Sequence, residues 1–406
     1  MQPKQSLNRK LSRTYQIKYQ IVALAGLCIL AMPLDAQERA AQDGLSDEEV
    51  TLNHVAAEVD HASAHPSTHN TQQTNSEYQT PLQRTDGLTT ANMNDLGIET
   101  QQITQLRQDI AAGSYGEIDS LLILYKGELI AEDYWRDGAI DKPHFMFSIT
   151  KNMLSNAIGK AIELGYIDSV NDPVIKYLSI ADKEQLAPGT EAITLHDLLS
   201  MQSGISIPKS KTGDALPVIT RENHASLYLS LTDAVSPGQT FKYQGADPDI
   251  LNHVLYNTSG KDLAAFTDEH FFKPMAIASA HWETSVSGLT KASSGLHFTS
   301  RDLVKFGKLV IGEGRYMDKQ LINSEWLHTA TTPKTKNGKY GYFWWTENFQ
   351  YNGKEIKTIS ARGARGQFLF VMPDLDLIVA VTSSNRGSQR RVPLQFVPEY
   401  IIPAFI

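Results

Sequence analysis

A serine and a lysine three residues apart are the residues in this chain best placed to do chemistry. Ser148-Ile149-Thr150-Lys151 has the pattern S-x-x-K, and residues i and i+3 share one face of a helix, so the hydroxyl and the amine can touch. A serine needs a base to become a nucleophile, and a lysine desolvated in a closed pocket can have its pKa lowered enough to serve. Backbone N–H groups at a helix N-terminus would stabilise an oxyanion. The pattern alone usually marks a solvated helix face, but the apolar Phe145-Met146-Phe147 before it favours a buried site.

The elements around this motif are predicted from apolar periodicity and turn residues. The spacing predicts a long helix from about Thr150 to Leu164, with Gly165 at its C-terminal end. Before it, strands over Ser120–Tyr125 and Glu128–Tyr134 are joined by Lys126-Gly127 and predict a β-hairpin. Apolar positions between Leu96 and Ile110 predict an amphipathic helix, which Gly113 and Gly116 would end.

The last third of the chain returns to strands. The middle, about 151–290, holds mostly short helical patterns broken by Pro and Gly. The later strands are predicted over Tyr340–Thr346, Glu355–Ala361, Gln367–Met372 and Leu377–Ser383, with a turn at Pro373-Asp374-Leu375-Asp376. Strands, then helices, then strands predict an α+β fold. Its antiparallel sheet, from about 92–150 and 291–406, would be flanked by helices and interrupted by a helical subdomain over about 151–290.

Two segments together carry a resemblance to a known family. Ser148-Ile149-Thr150-Lys151 with its apolar helix, followed by Leu198-Leu199-Ser200-Met201-Gln202-Ser203-Gly204-Ile205, resembles the serine beta-lactamase and penicillin-binding-protein superfamily over about residues 96–406. The chain is most similar to its class C beta-lactamase-like branch of D-aminopeptidases, carboxypeptidases, esterases and 6-aminohexanoate-dimer hydrolases. The resemblance implies a beta-lactamase/transpeptidase-like fold and an acyl-enzyme on Ser148, with Lys151 beside it.

The family's second motif, Y-x-N, corresponds here to Tyr243-Gln244-Gly245. The resemblance implies that the Tyr243 phenol passes a proton between Ser148, Lys151 and the leaving group. Gly245 stands where the family has Asn, so the amide that helps to hold a substrate carbonyl is missing.

The third motif, K-T-G, has its counterpart in Ala361-Arg362-Gly363 before the last strand pair. The resemblance implies that Gly363 lets substrate approach the strand and that the N–H of Ala364 joins that of Ser148 as an oxyanion donor. The motif's lysine is missing, and either Arg362 or Arg365 is left to supply a positive charge. A literal Lys211-Thr212-Gly213 lies between the first two motifs, out of order, and is interpreted as a coincidence.

Several other residues are candidates for binding a substrate or a metal. Trp345, in an aromatic run like one in the dimer-hydrolase branch, is a candidate for lining the pocket or for packing. His61, His65 and His69 recur every four residues, but Pro66 interrupts the helix that would align them. His196, His253 and His297 lack a metal-binding spacing and are interpreted as structural, so neither a metal nor a cofactor is expected.

Composition and the N-terminal residues predict the partners and the location of the protein. A formal net charge of −8 argues against nucleic acid as a partner, and a single cysteine excludes an internal disulfide. Basic residues before an apolar run over 21–32 predict a signal peptide at 1–36, hence an exported, periplasmic or secreted protein. Polar residues 37–91 predict a disordered linker ahead of the domain at 92–406. A membrane tether would require the N-terminal segment to stay uncleaved.

Three functions are therefore open. The first is a serine hydrolase that cleaves an ester or amide of a small-molecule or peptide-like acyl substrate. The second is a non-catalytic sensor or binding protein of the penicillin-binding type, because the second and third motifs depart from the family at Gly245 and Ala361. The third, a true beta-lactamase, is disfavoured by the same two departures.

Overall fold

The computed structural model describes residues 79–178, 186–208 and 224–406. Apart from Lys242–Gln244, the described residues belong to one compact unit. Several features named above lie outside the described residues: the predicted signal peptide, most of the predicted linker, His61, His65, His69 and Lys211-Thr212-Gly213.

A seven-stranded sheet forms the centre of this unit. Its strand order is β1-β3-β2-β12-β11-β10-β9, with β1 parallel to β3 and every other pair antiparallel. The strands are β1 (Thr89–Thr90), β2 (Ile118–Tyr125), β3 (Glu128–Tyr134), β9 (Trp345–Tyr351), β10 (Lys354–Gly363), β11 (Gln367–Met372) and β12 (Leu377–Ser383). Strands from both ends of the sequence therefore meet at the β2–β12 pair, which confirms the predicted α+β fold.

Five short strands and nine α-helices, with short 3₁₀ and π turns, make up the remaining regular structure of the described residues. The three-stranded sheet β4-β6-β5 consists of β4 (His144–Phe145), β5 (His281–Trp282) and β6 (Leu296–Phe298), and β7 (Arg315–Tyr316) pairs with β8 (Lys319–Gln320). The helices are α1 (Gln101–Ala111), α2 (Ile149–Glu163), α3 (Leu195–Leu199), α4 (His224–Leu231), α5 (Ala246–Ser259), α6 (Leu263–Thr267), α7 (Ser300–Ile311), α8 (Ser324–Thr331) and α9 (Val392–Phe396).

The predicted hairpin and long helix are confirmed. β2 and β3 pair around Lys126 and Gly127, which both adopt positive φ (50° and 82°), the conformation that a tight two-residue hairpin turn requires. Helix α2 begins and ends within a residue of the predicted bounds, and Gly165 follows it at φ 76°. Most of α2 is buried, because it packs against α5, α6 and α8 and against the end of β10.

The predicted strand over Tyr340–Thr346 is wrong in its position. Strand β9 begins only at Trp345, and Phe343 has φ 62°, which breaks any extended run. Tyr340 and Trp344 are buried in this bend, so their aromatic character reflects packing of an irregular segment.

The fold begins earlier than residue 92, and it contains a helix that the periodicity did not indicate. Thr89–Thr90 pair with β3, and Arg301 ties the segment before them to the sheet through Asp86 (2.8 Å) and Glu132 (2.9 Å). Arg301 belongs to α7, which packs across β2, β11 and β12. The Thr299 hydroxyl accepts from the Asp302 N–H and caps this helix.

Apolar side chains from both halves of the sheet fill the core. One face is covered by α1 and the C-terminal helical turns, and the other by α7. Within the described ranges, no helix is both long and apolar enough to cross a membrane.

Candidate active site

The start of α2 is held in a strained backbone geometry. Phe147 has φ 48°, an unfavourable value for a bulky residue, and Ser148 follows as the cap of the helix. The Thr150 hydroxyl donates to the Phe147 carbonyl (2.6 Å) and accepts from the N–H of Leu296 in β6 (3.1 Å). Strain of this kind persists only where surrounding contacts impose it, and it is concentrated at functional sites.

Ser148 and Lys151 are in direct contact and almost fully enclosed. The Lys151 ammonium nitrogen Nζ lies 2.8 Å from the Ser148 Oγ, and the exposed fractions of the two residues are 1% and 4%. Nζ also donates to the backbone carbonyl of Ser293 (2.8 Å), in the loop before β6. The Ser293 carbonyl therefore helps to hold the Lys151 side chain against the Ser148 hydroxyl.

The second motif lies at the start of α5. Tyr243 and Gln244 are buried, and Gly245 caps the helix at φ −86°. A Cβ built on Gly245 would meet only the Ser293 Cβ, at 3.9 Å. Position 245 thus has room for a side chain, next to the residue whose carbonyl holds Lys151. The proton-transfer role of Tyr243 stays a prediction.

The third motif approaches the first through its backbone. A Cβ on Gly363 would lie 2.3 Å from the Met146 carbonyl oxygen, far inside van der Waals contact. Glycine is therefore required because the chain itself, two residues before Ser148, passes this close to the end of β10. Ala364 follows directly in a 3₁₀ turn over Ala364–Gly366. Its predicted role as an oxyanion donor stays a prediction.

Arg362 is neutralised within its own sheet. Its guanidinium pairs with Glu347 on β9 (2.5 Å), donates from Nε to the Ser360 hydroxyl (3.0 Å) and stacks on Trp345 with its centre 4.9 Å from the ring. The structure thus brings the two candidate residues Arg362 and Trp345 into contact with each other. A guanidinium so occupied is poorly available to a substrate anion.

Arg365 has a different environment. It sits at φ 63° within the 3₁₀ turn, and its guanidinium carbon lies 5.8 Å from the centre of the Phe147 ring, beside Ser148 in sequence. Partial burial and then the nearby positive charge of Arg386 lower the pKa of Arg365 from its usual value. Of the two arginines left open by the sequence, Arg365 is the one that contacts the residue preceding the candidate nucleophile.

The sequence pattern did not identify Ser293, whose carbonyl contacts Lys151, or the structural contact of the neighbouring Asn152. Ser293 acts through its carbonyl, which carries no signature in the residue type, although the small residues Ala292-Ser293-Ser294-Gly295 before a strand were a usable signal. Asn152 lies one residue after Lys151, and its side-chain amide donates to the carbonyl of the strained Phe343 (2.7 Å).

The histidines within the described part of the chain make local contacts. His196 lies 2.6 Å from the Tyr342 hydroxyl, and His297 stacks on His281 with ring centres 4.1 Å apart. Among the described residues, no three His, Cys, Asp or Glu side chains are grouped so that they could hold a metal ion.

A buried serine and lysine meet at the start of a helix, beside the last strands of an antiparallel sheet. Comparison with known proteins identifies the class of protein that has this arrangement. Residues 119–396 match the beta-lactamase family, and the chain belongs to that family. Its members include serine hydrolases with several different substrates.

Particular relatives cover most of the chain at low identity. The chain is 24% identical over 293 residues to the 6-aminohexanoate-dimer hydrolase of Paenarthrobacter ureafaciens, covering 66% of this chain and 72% of that protein. Its fold is similar to that of an octameric penicillin-binding protein homologue from Pyrococcus abyssi, with TM-score 0.58, 21% identity and coverage of 75% and 78%. A family VIII carboxylesterase matches with TM-score 0.58 and 15% identity, over 76% of this chain and 99% of that one. At these identities the structures establish the fold.

Proposed function

We propose that this protein is a serine hydrolase that cleaves esters or amides through an acyl-enzyme on Ser148. The observation that carries the proposal is the 2.8 Å contact between the Lys151 amine and the Ser148 hydroxyl in an enclosed site at a helix start. In this mechanism Lys151 accepts the serine proton as the Ser148 oxygen attacks the substrate carbonyl.

The remaining steps use residues of the second and third motifs and the N–H of Ser148. The oxyanion is stabilised by the backbone N–H groups of Ser148 and Ala364. Lys151 and the phenol of Tyr243 return the proton to the leaving alcohol or amine, and water then attacks the ester on Ser148 and releases the acid. The relationship to the dimer hydrolase and the carboxylesterase supports linear amides and esters as the substrate class.

Turnover of p-nitrophenyl esters and of linear amides by the purified protein tests this proposal. We expect hydrolysis that depends on both Ser148 and Lys151, and slow turnover of penicillin because Gly245 and Ala361 replace motif residues of the family. Esterase activity of Ser148→Ala equal to that of the parent protein would overturn the proposal.

A binding protein without catalysis is the second candidate, and the same two departures favour it. A binding protein would hold a penicillin or an acyl compound reversibly, with no acylation of Ser148. Saturable binding without turnover or adduct, by a folded protein, would favour this function over hydrolysis.

We also propose export through the N-terminal segment, on the basis of its basic residues and the apolar run at 21–32. N-terminal sequencing of the protein from the producing cell should then find Gln37 first. An intact Met1 in a cytosolic fraction would contradict this proposal.

A further inference from the structure

A stack of planar side chains runs across the three-stranded sheet β4-β6-β5 and ends beside the candidate nucleophile. The rings of His281 on β5 and His297 on β6 lie face to face, with their centres 4.1 Å apart and their planes at 21°. His297 also stacks on Phe145 of β4, at 4.7 Å between ring centres. Phe145 in turn contacts Phe147 (4.2 Å), the residue before Ser148. Two titratable rings therefore belong to the same stack as the residue that precedes the nucleophile.

The charged groups around this histidine pair come from three segments. Glu283, directly after β5, places a carboxylate oxygen 3.6 Å from the Nε2 of His297, and it also pairs with Lys291 (3.2 Å). His144 of β4 acts on His297 through its charge, and its own Nε2 lies 3.0 Å from Asp119. The carboxylate that faces His297 is therefore shared with a lysine, so it balances two imidazolium charges only in part.

Acid changes the energy of the stack. Burial first, and then the charge of His281, lower the pKa of His297 by more than Glu283 raises it. Neutral imidazole rings stack without repulsion, whereas two imidazolium rings in contact repel each other. Separated rings therefore bind the second proton more readily than stacked rings do. It follows that the stacked form is fully favoured above the ordinary histidine pKa of about 6.5 and is lost progressively as the pH falls below it.

The central strand of this sheet holds both members of the candidate catalytic pair. The backbone N–H of Leu296 in β6 donates to the Thr150 hydroxyl (3.1 Å), and the Leu296 carbonyl accepts from the N–H of Met146 (2.9 Å). Three residues before Leu296, the Ser293 carbonyl accepts from the Nζ of Lys151 (2.8 Å). A displacement of β6 would therefore disturb the backbone before the serine and the support of the lysine together.

The strand that carries His281 is attached to β6 by a few contacts. β5 and β6 pair at two positions, and one of them is His281 opposite His297. The N–H of Glu283 adds one more backbone hydrogen bond, to the carbonyl of Gly295 (2.8 Å). Repulsion between the two rings thus acts directly on one of the links that hold this edge of the sheet together.

We propose that the His281–His297 stack is an acid-sensitive switch, which holds β6 in place while the rings are neutral and disturbs the support of Lys151 by Ser293 when both rings are charged. The inference rests on the proposed function for its effect on turnover. Acid then lowers the activity in addition to any titration of the catalytic base, and a return to neutral pH restores it.

Hydrogen exchange measures the switch without turnover. Mass spectrometry on the full chain gives protection factors, corrected for the intrinsic pH dependence of exchange, for peptides that cover 293–298 and for β11. Each proton taken up on opening can favour the open form by up to about ten-fold per pH unit, so protection over 293–298 should fall at least about ten-fold between about pH 7.5 and about pH 5. The peptides of β11 should stay protected. Constant protection over 293–298 would overturn the proposal.

Matched variants assign the acid effect to the two rings. His297→Phe and His281→Phe each keep an aromatic ring in the stack but remove one titrating group, and both should retain more protection over 293–298 at acid pH than the parent protein. His281 is exposed, so its variant carries the same test if His297→Phe does not fold. His328→Phe, at an exposed histidine of α8, is the control and should respond to acid as the parent does. Equal losses of protection in the parent and in both stack variants would refute the assignment.

The pH dependence of turnover gives the second readout. For p-nitrophenyl acetate, one essential base gives a limiting slope of about one when log kcat/KM is plotted against pH on the acid side. The parent protein should exceed this slope, because protonation of the stack adds to that of the base, and His297→Phe should lie closer to it. Equal slopes in the two proteins, with acid-sensitive exchange, would show that the sheet opens without effect on the site and would overturn the proposal.

Failure of the switch and failure of the proposed function give different results. If p-nitrophenyl acetate is not cleaved in a Ser148-dependent way, the hydrolase function fails, whereas hydrogen exchange over 293–298 still decides whether acid opens the sheet through His281 and His297. If the ester is cleaved and protection over 293–298 does not depend on pH, the hydrolase function stands and the switch is refuted.

Discussion

The start of α2 and the end of β10 form one candidate site but are built in different ways. Ser148 and Lys151 lie one helical turn apart, so a local pattern is enough to bring their side chains together. The end of β10 depends on segments far apart in sequence, such as Gly363 against Met146 and the Arg365 turn against the turn before α9. The comparison indicates that the contact between Ser148 and Lys151 follows from a local pattern, whereas the position of the end of β10 beside them depends on tertiary contacts.

At the end of β10, two arginines three residues apart also have different environments. Arg362 contacts Glu347 and Trp345 within the sheet, whereas Arg365 itself adopts a left-handed backbone conformation and its guanidinium lies near the ring of Phe147. A residue type alone therefore does not determine which partners a positive charge has in the folded protein.

Substitution of the candidate nucleophile should have the largest effect. We expect Ser148→Ala to lower esterase kcat by at least about 10³-fold, because no other group supplies the attacking oxygen. The fold should be retained, because the Ser148 side chain makes no capping hydrogen bond and the loss of its hydrogen bond with Lys151 should cost only about 1 kcal/mol in the free energy of unfolding. Ser155→Ala, at another buried serine of α2, is the matched control and should keep its activity. An equal loss of kcat in both variants would show that disturbance of the helix, and not removal of the Ser148 hydroxyl, lowers the activity.

Removal of the neighbouring amine should have the next largest effect. Lys151→Met keeps the buried volume but removes the base, and we expect kcat to fall about 10²- to 10⁴-fold. Lys160→Met, in the last turn of the same helix and paired with Glu163, should retain full activity. Steady-state kinetics on one ester compares the two, and an active Lys151→Met would remove the lysine from the mechanism.

Two glycines of the site should respond in opposite ways to alanine. Gly363→Ala places a Cβ against the Met146 carbonyl and should cost about 1–3 kcal/mol in the free energy of unfolding, with reduced activity. Gly245→Ala places a Cβ in ordinary van der Waals contact with Ser293 at a helical φ and should be neutral or stabilising. Denaturant titration gives the free energy of unfolding of both variants and of the parent protein. A Gly363→Ala variant as stable as the parent protein would contradict the prediction.

Substitution of Arg362, which is paired with Glu347, should have a modest effect, mainly on the free energy of unfolding. Arg362→Gln breaks a partly exposed ion pair and a stack on Trp345, so we expect a loss of about 1 kcal/mol in the free energy of unfolding. Its kcat/KM for a neutral ester should stay within about two-fold of the parent value. A large loss of turnover would show that Arg362 contributes to the active site and not only to stability.

The smallest effect concerns the short sheet that supports the start of α2. Burial, and then the charge of His281 on the stacked ring, lower the pKa of His297. The unfolded chain therefore binds this proton more readily, so stability is complete above about pH 6.5 and declines as the pH falls below it. His297→Gln should lose less free energy of unfolding than the parent protein between about pH 7 and about pH 5. Parallel pH dependence in the two proteins would exclude His297 as the cause.

The sequence predicted those parts of the protein in which local chemistry decides the structure. The β2–β3 hairpin, α2 and the turn before β12 were all predictable, because Gly, Pro and the apolar spacing act over a few residues. The start of β9 was not, since the left-handed Phe343 is imposed by the contacts that hold this bend. The support of Lys151 by Ser293, and the contrast between Arg362 and Arg365, likewise depend on partners that no local pattern names.

Intact-mass measurement after treatment with a fluorophosphonate tests the central claim most directly, because this reagent modifies only an activated serine. We expect a single adduct on the parent protein, none on Ser148→Ala and much slower labelling of Lys151→Met. A folded parent protein that takes up no label, or a Ser148→Ala variant that is labelled as fast as the parent, would contradict the account.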